Sequence, residues 1–429
     1  MKKNVFFVLY NILGCIFLIA GFPFFLFFKK SRKGFFVRLS FYPQNWRKSL
    51  KNANVVWIHV ASLGEINAIQ NFIIELQKNY SQYKILISTI TDAGYTKACK
   101  KFGDSAFVIY APLDISFIVN RTLNFFNPKI ILIAETELWP NMITEAKKKN
   151  INLCIINGRI TDKSIKYYLQ FNKFFDIVLN CIDKYCVQNE KEKNNFLKLG
   201  IEKNKIAICG QTKFDVEIDI PFSERQKIRQ NLGLSKEDFL WVAGSTRPGE
   251  EEIIIEVFLE IKKIVSCKLI IAPRHINRTG EIIKIIDKKG INCKKLSAIS
   301  YQPSAISQEP SIFILDLLGQ LLSYYAIANV SFVGGTLQNY GGHNLIEPAL
   351  LACPVIFGTY TSNVSDIAHI LIESGGGKCV KNGFDIKQIL IEYIANPIKA
   401  KTDGEKAYKA VNEKKGASKR TLNEIRSFM

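Results

Sequence analysis

Apolar runs alternate with amphipathic stretches along most of the chain. The runs 55–61, 84–90 and 129–135 are apolar at nearly every position and predict strands, whereas 66–80 has apolar residues every three to four positions and predicts a helix. Continuous rather than alternating apolar strands are typical of parallel sheets covered on both faces, so the pattern predicts an α/β fold. The other strand-like runs of the first half are 108–112, 151–157, 176–181, 185–188 and 205–210.

The segment around Pro221 interrupts this rhythm and is interpreted as a linker. A second series of strand-like runs follows, at 239–245, 268–273, 312–316, 330–335 and 354–358. We therefore expect two Rossmann-like domains, over 50–218 and 225–429. Open α/β sheets bind ligands beyond the carboxyl ends of their strands, so a cleft between the two domains is the expected place for chemistry.

The first thirty residues predict a membrane anchor. Residues 5–28 carry no charge and are flanked by basic residues on both sides. The run is long enough to cross a hydrocarbon core as a helix, although Asn11 and Pro23 also allow it to lie in the interface. Because the downstream flank is basic, we expect the rest of the chain on the cytoplasmic side of the membrane.

The composition excludes few classes of binding partner. Of the 429 residues, 58 are Lys or Arg and 38 are Asp or Glu, which gives a net charge of +20 that attracts polyanions in general. No nucleic-acid-binding signature accompanies this charge, so no nucleic-acid partner is expected. The ten cysteines occur without a CxxC pair, which indicates reduced thiols and no metal site.

Three polar clusters follow strand-like runs in the first half. Glu65, after Ser62-Leu63-Gly64, is a candidate general base or a carboxylate that favours a helix start. Glu135 and Glu137 come directly after an apolar run, where they are costly unless hydrogen-bonded or facing a polar cleft. Lys213 could bind a substrate carboxylate or phosphate, or it could be an ordinary surface lysine.

The second half holds several segments suited to a nucleotide. The turn 244–251 (GSTRPGEE) could offer backbone N–H groups to a phosphate, and Arg274 suits bidentate binding of an anion. In the glycine-rich segment 341–348, Asn344 and Glu347 stand one helical turn apart and could bond ribose hydroxyls. The alternative is a capped helix with an incidental glutamate.

Taken in order, these segments resemble the bacterial transferases of 3-deoxy-D-manno-oct-2-ulosonic acid (Kdo). The segments that carry the resemblance are SLGE (62–65), PLD (112–114), ETELWPN (135–141), NGR (157–159), QNE (188–190), TKFD (212–215), GSTRPGEE (244–251), PRH (273–275), FVGGT (332–336) and GGHNLIEPA (341–349). The resemblance implies a GT-B fold and an inverting, metal-independent transfer of Kdo from CMP-Kdo to a lipid A precursor. It also implies attachment to the anionic surface of the inner membrane, with no cofactor.

By position, the resemblance assigns Glu65 as the catalytic base and Glu135 with Lys213 as the pair that stabilises the transition state. The positions that it assigns to CMP are Pro273, Arg274, Leu318, Gly319, Gln320, Asn344, Leu345, Ile346 and Glu347. Two positions depart from the family pattern: Gln320 stands where glutamate is common, and Arg247-Pro248 replaces a histidine followed by an acidic residue.

Two other functions remain open on the sequence. The first is another GT-B enzyme, such as a UDP-sugar lipid glycosyltransferase or a sugar-nucleotide epimerase. The second is a non-catalytic protein that binds polyanions through its basic surface.

Overall fold

The computed structural model describes residues 5–27, 34–235, 237–298 and 310–429, with side chains described except at 21–27 and 162. The chain forms two compact units, Met1–Val216 with Lys414–Met429, and Glu217–Glu413. The sequence analysis assigned the last segment to the second domain. It packs with the first unit because the Asp215 carboxylate accepts hydrogen bonds from the backbone N–H groups of Gly416, Ala417 and Ser418, at 2.7, 3.2 and 2.5 Å.

A seven-stranded parallel sheet forms the centre of unit 1. Its strands are β1 (Asn54–Val60), β2 (Tyr83–Thr89), β3 (Ala106–Tyr110), β4 (Pro128–Ala134), β5 (Asn152–Gly158), β6 (Lys184–Val187) and β7 (Ile206–Ile208). They are ordered β3-β2-β1-β4-β5-β6-β7, and all neighbouring strands pair in parallel. The carboxyl ends of β1, β4 and β5 therefore lie side by side.

Helices cover both faces of this sheet. They are α1 (Val5–Phe27), α2 (Phe35–Arg38), α3 (Trp46–Leu50), α4 (Leu63–Asn79), α5 (Asp92–Phe102), α6 (Ser116–Phe126), α7 (Pro140–Lys148), α8 (Asp162–Gln170), α9 (Asn172–Asn180) and α10 (Glu190–Lys198), with a helix over Ala417–Ile425 contributed by the carboxyl terminus. Two apolar clusters, one on each face, bury the strand side chains, as expected for a sheet that is covered on both sides.

Unit 2 repeats this organisation. Its strands are β8 (Phe239–Thr246), β9 (Cys267–Pro273), β10 (Cys293–Lys295), β11 (Ile312–Ile314), β12 (Val330–Val333), β13 (Val355–Gly358) and β14 (Gly377–Val380), in the order β10-β11-β9-β8-β12-β13-β14. Its helices are α11 (Phe222–Asn231), α12 (Glu251–Lys262), α13 (Thr279–Lys288), α14 (Leu321–Tyr325), α15 (Ile346–Leu350), α16 (Ser365–Ser374), α17 (Gly383–Ala395) and α18 (Pro397–Asn412). The carboxyl-terminal helix Ala417–Ile425 is α19.

One strand prediction is wrong. The run 176–181 lies mostly within α9, not in a strand. Phe175, Val178 and Leu179 are buried at spacings of three and four, which places them on one face of a helix. All ten cysteines are free thiols, as predicted.

The predicted anchor corresponds to α1, whose flanking residues 1–4 and 28–33 lie outside the described residues. Among the residues that the structure describes, no helix has the length and hydropathy needed to cross a membrane. The described part of α1 is held to unit 1 by polar contacts. Asn11 accepts a hydrogen bond from the backbone N–H of Ser116 at 2.9 Å and donates to Asn141 Oδ1 at 3.1 Å, and the Tyr10 hydroxyl donates to Asp114 at 3.0 Å.

Candidate active site

Glu65 lies in the first turn of α4, directly beyond β1. Its Oε2 atom accepts a hydrogen bond from the Ala61 N–H at 2.7 Å, and its Oε1 atom accepts one from the Ser62 hydroxyl at 2.9 Å. Ser62 in turn accepts from the Glu65 N–H, so Ser62 caps the start of the helix and Glu65 bonds back to the residue before the cap. These contacts agree with the helix-start interpretation, and the role of Glu65 as a general base stays a prediction.

The environment of Glu65 also suits a general base. Glu65 is only 8% exposed. Burial raises the pKa of Glu65 to about 7, and the charges of Glu135 and Glu137 raise it further. The hydrogen bonds from Ala61 and Ser62 oppose this rise. A carboxylate with a pKa near the working pH can take a proton from a hydroxyl group efficiently.

Glu135 follows β4, the neighbour of β1 in the sheet. It adopts a left-handed backbone conformation with φ of 57°, which is uncommon for a residue other than glycine. Its side chain accepts a hydrogen bond from Arg159 Nε at 2.7 Å, and Arg159 follows the adjacent strand β5. Burial and the charge of Glu135 raise the pKa of the nearby Glu137. The three glutamates thus form a carboxylate cluster, Glu65, Glu135 and Glu137, next to one arginine.

Lys213 lies in the short helical turn Thr212–Phe214 that follows β7. This turn is fixed by Thr212, whose hydroxyl donates to the Ala68 carbonyl of α4 at 2.8 Å and whose N–H donates to Asn157 Oδ1 at 3.2 Å. The Lys213 ammonium lies 5.4 Å from the centre of the Phe214 ring. The turn that bears Lys213 is therefore attached directly to α4, the helix that bears Glu65.

The PLD and WPN segments have a structural role that the sequence did not reveal. Asp114 accepts hydrogen bonds from the N–H groups of Asn141 and Met142 at 2.9 and 2.7 Å, so it caps the start of α7. The same carboxylate accepts the hydrogen bond from Tyr10 of α1, and burial raises the pKa of Asp114 to about 6. These contacts join α1 to the helix that begins immediately after the carboxylate cluster.

A group of basic side chains converges in unit 2. Arg247 Nε donates to His343 Nε2 at 3.1 Å, Arg247 Nη1 lies 2.9 Å from His275 Nε2, and the guanidinium lies 5.0 Å from the centre of the Tyr340 ring. Burial lowers the pKa of His343 to about 4, and the nearby charges of Arg274, Arg247 and His275 lower it further. Two arginines and two histidines thus lie together in unit 2, and the positive charge of the arginines is suited to an anion.

Glu250 organises the loop beside this basic group. The residue is fully buried, and its carboxylate accepts hydrogen bonds from the backbone N–H groups of Arg247, Gly335, Thr336 and Leu337 at 2.8 to 3.0 Å. Burial raises the pKa of Glu250, and these four hydrogen bonds oppose the rise. A Cβ atom on Gly334 would lie only 2.5 Å from the Ser245 carbonyl oxygen. The loop after β12 can therefore approach the end of β8 this closely only with glycine at position 334.

The other predicted CMP-binding residues fall on several loops of unit 2. Pro273 ends β9, and Arg274 follows it with an exposed side chain. Leu318 is 86% exposed, Gly319 has φ of 82°, and Gln320 immediately precedes α14. Asn344 Oδ1 accepts from the Ile346 N–H at 3.0 Å, and Leu345 and Ile346 are buried. Burial raises the pKa of Glu347, whereas a hydrogen bond from Asn344 and the charge of Arg274 lower it.

The electrostatic coupling of Arg274 with both Glu347 and His343 indicates that these parts of the predicted donor site lie together. Within the described ranges, no group of three or more His, Cys, Asp or Glu side chains is arranged to hold a metal ion. Independence from metals stays a prediction.

The sequence analysis did not predict the contacts of Arg159, His275 and His343. A contact between residues far apart in the chain leaves no local pattern in the sequence.

Comparisons with known proteins agree with the resemblance. A family model for 3-deoxy-D-manno-octulosonic-acid transferase (kdotransferase) matches residues 33–216. The chain is 31% identical over 378 residues to 3-deoxy-D-manno-octulosonic acid transferase of Haemophilus influenzae, and the match covers 87% of each chain. It is 38% identical over 339 residues to a bifunctional glycosyltransferase/methyltransferase of Fusobacterium nucleatum, covering 78% of this chain and 51% of that relative, so it spans about half of that protein.

Solved structures support the fold. UDP-GlcNAc 2-epimerase from Neisseria meningitidis aligns with a TM-score of 0.58 at 16% identity, over 87% of this chain and 100% of the epimerase. A glycosyltransferase from Rickettsia africae aligns with a TM-score of 0.54 at 13% identity, over 88% and 98%. The fold is thus the GT-B arrangement of two Rossmann-like units. Together with the sequence matches, it shows that the chain belongs to the 3-deoxy-D-manno-octulosonic acid transferase family of glycosyltransferases.

Proposed function

We propose that this chain transfers Kdo from CMP-Kdo to a lipid A precursor, with inversion at the anomeric carbon, as a step of lipopolysaccharide synthesis. The observation that carries the proposal is Glu65, a buried carboxylate beyond the end of β1 with a pKa raised to about 7. Transfer to a sugar hydroxyl requires such a base, because the hydroxyl is a poor nucleophile until its proton is removed.

In the proposed reaction the acceptor hydroxyl oxygen attacks the anomeric carbon of Kdo, and its proton passes to Glu65. The bond between that carbon and the phosphate oxygen of CMP breaks, and the electron pair leaves with the phosphate. Positive charge develops on the Kdo ring in the transition state. Glu135 could stabilise this charge, while Arg159, 2.7 Å from its carboxylate, and Lys213 balance the negative charges of the cluster.

Unit 2 is the proposed donor-binding unit. Arg247 and Arg274, with His275 and His343 beside them, supply the positive charge that the departing phosphate needs. The two arginines can balance this charge without a divalent cation, so we propose that the transfer requires no metal and no cofactor. Glu347 hydrogen-bonds Asn344 and interacts with the charge of Arg274, and we assign Asn344 and Glu347 to the ribose of the same nucleotide.

We further propose that α1 attaches the protein to the cytoplasmic face of the inner membrane and lies in the interface. Several apolar side chains of α1 are exposed, including Phe17 and Ile19 at 74% each, whereas Tyr10 and Asn11 are bonded to unit 1. A helix with one apolar exposed side and one side bound to its own domain is suited to an interfacial position. An amphiphilic acceptor would reach the enzyme from the same membrane.

The direct test is the product. The purified full-length chain is incubated with CMP-Kdo and tetraacylated lipid A precursor in detergent, and the lipid is analysed by mass spectrometry. The proposal predicts a mass increase of one or more Kdo residues and release of CMP. Transfer from UDP-sugars with no transfer from CMP-Kdo would indicate another GT-B enzyme instead.

A further inference from the structure

A polar cavity and an apolar groove meet on the surface of unit 1, and no described residue of the carboxylate cluster lines either of them. The polar cavity has a volume of about 540 Å³ and lies between α3 and α6. Its lining includes two arginines, Arg47 and Arg121, and three amide side chains, Gln44, Asn120 and Asn124. This combination of guanidinium and amide donors is suited to a phosphate ester with polar substituents.

Aromatic rings hold both arginines in place. The Arg121 guanidinium lies 4.1 Å from the centre of the Phe41 ring, and that of Arg47 lies 5.3 Å from the centre of the Phe125 ring. Both rings also line the cavity. Cation–π contacts orient a guanidinium while leaving its N–H groups available to an anion.

Glu145 lines the apolar groove, and its charge is already balanced. Glu145 accepts hydrogen bonds from Ser116 at 2.9 Å and from Asn120 and Lys148 at 2.6 Å each. Lys148 forms the ion pair with Glu145, so the two arginines give the cavity a net positive charge.

The apolar groove has a volume of about 970 Å³ and runs between α1 and the helices α6, α7 and α9. Its apolar lining includes Phe7, Ile12 and Ile16 of α1, with Ile115, Phe117 and Ile177 opposite. The polar bonds of Asn11 to Ser116 and Asn141 fix α1 at the floor of this groove. A groove of this kind beside an interfacial helix provides a surface for acyl chains.

The two depressions are continuous along α6. Ser116 and Phe117 line both of them, and Phe117 is 62% exposed. Arg121 stands four residues further along the same helix, which is about 6 Å of axial rise. A molecule with acyl chains in the groove would therefore carry its phosphate to the arginines one helical turn away.

We propose that this composite site binds one anionic membrane phospholipid, with its chains in the groove beside α1 and its phosphate between Arg47 and Arg121. The lipid is a membrane phospholipid and not the acceptor, because none of the described residues that line the two depressions comes from the carboxylate cluster. The inference rests on the proposed membrane attachment, but it does not depend on the transfer reaction.

The test compares the full-length chain with the double variant R47Q/R121Q and with a matched control, K100Q/K198Q. The control removes two exposed positive charges from α5 and α10 of the same unit, so the net charge changes equally. Phosphatidylglycerol and phosphatidylcholine binding are measured by native mass spectrometry from detergent. The variant R47Q/R121Q should bind phosphatidylglycerol about 30-fold more weakly than the wild type. This corresponds to about 2 kcal/mol of binding free energy, at about 1 kcal/mol per arginine. The control should change less than about threefold.

Three outcomes would overturn the proposal. Equal losses of phosphatidylglycerol affinity in the two double variants would indicate a diffuse electrostatic effect. Binding of glycerol 3-phosphate as tight as that of the lipid would show that the groove contributes nothing to binding. A raised KM for the lipid A precursor, with phosphatidylglycerol binding unchanged, would assign the pocket to the acceptor. CMP binding by each variant verifies that the chain is folded, and a wild type that binds the phospholipid but not CMP would contradict the proposed function alone.

Discussion

Replacing Glu250 with glutamine tests how the loop of the proposed donor site is held. The Glu250 carboxylate is fully buried and accepts four backbone hydrogen bonds, two on each oxygen. Glutamine keeps one acceptor oxygen, and its amide group then faces two N–H donors that have lost their partner. A buried donor left without a partner costs about 1–3 kcal/mol, so the variant should lose about 2–6 kcal/mol of stability.

Urea unfolding followed by tryptophan fluorescence measures this loss, and calorimetry measures CMP affinity on the same samples. CMP affinity should fall as well, because two of the four N–H groups belong to Gly335 and Thr336, in the loop that follows β12. The neighbouring variant Glu252→Gln changes an exposed glutamate of the same helix and should stay within about 0.5 kcal/mol. A Glu250→Gln protein as stable as this control would refute the role given to the carboxylate.

Further predictions concern the site and the helix α1. Because burial raises the pKa of Glu65 to about 7, the carboxylate is protonated below that pH, so kcat/KM for transfer should rise with pH to about 7 and then level off. Arg274→Ala and Glu347→Ala should each weaken CMP binding by about 1–3 kcal/mol, and EDTA should not inhibit transfer. Removing residues 5–27 should release the protein from washed membranes and leave CMP binding intact.

Each of these predictions has a contradicting result. A pH profile that is flat between about pH 5 and 8, that is, from about two units below the expected midpoint to about one unit above it, would show that ionisation of Glu65 does not control the rate. CMP affinity of the two unit 2 variants is measured by calorimetry, with the conservative variant Arg274→Lys as a control. An unchanged affinity in both would show that the donor binds at another site. Quantitative sedimentation of the truncated protein with membranes at high salt would mean that another surface attaches it.

Much of the fold can be predicted from local pattern. The run 55–61 lies within one residue of β1, and 129–135 lies within one residue of β4, because their apolar side chains are buried on both faces of a parallel sheet. β10 and β14 were missed, since each has only three or four residues and neither forms a continuous apolar run. The run 176–181 was misread because a short apolar stretch does not distinguish a strand from a buried helix.

The site is predictable only in part. The Ser62–Glu65 contact spans three residues, and so this helix cap can be read directly from the sequence. The contact of Arg247 with His343 spans 96 residues and depends on β8 and β12 being neighbours in the sheet. Asp215 was noted only as part of the TKFD segment, and nothing in the sequence indicates that its carboxylate holds the start of α19, about 200 residues away in sequence.

The rate of Kdo transfer by Glu65→Gln, measured with thermal stability on the same purified protein, tests the central claim most directly. Glutamine keeps the size of the side chain and one oxygen to accept from Ala61 or Ser62, but it cannot take the acceptor's proton. The account predicts a folded protein with normal CMP affinity and transfer at least about a hundredfold slower than wild type. Near-normal transfer, accompanied only by a loss of about 0.5–2 kcal/mol in stability, would show that Glu65 caps α4 and is not the base.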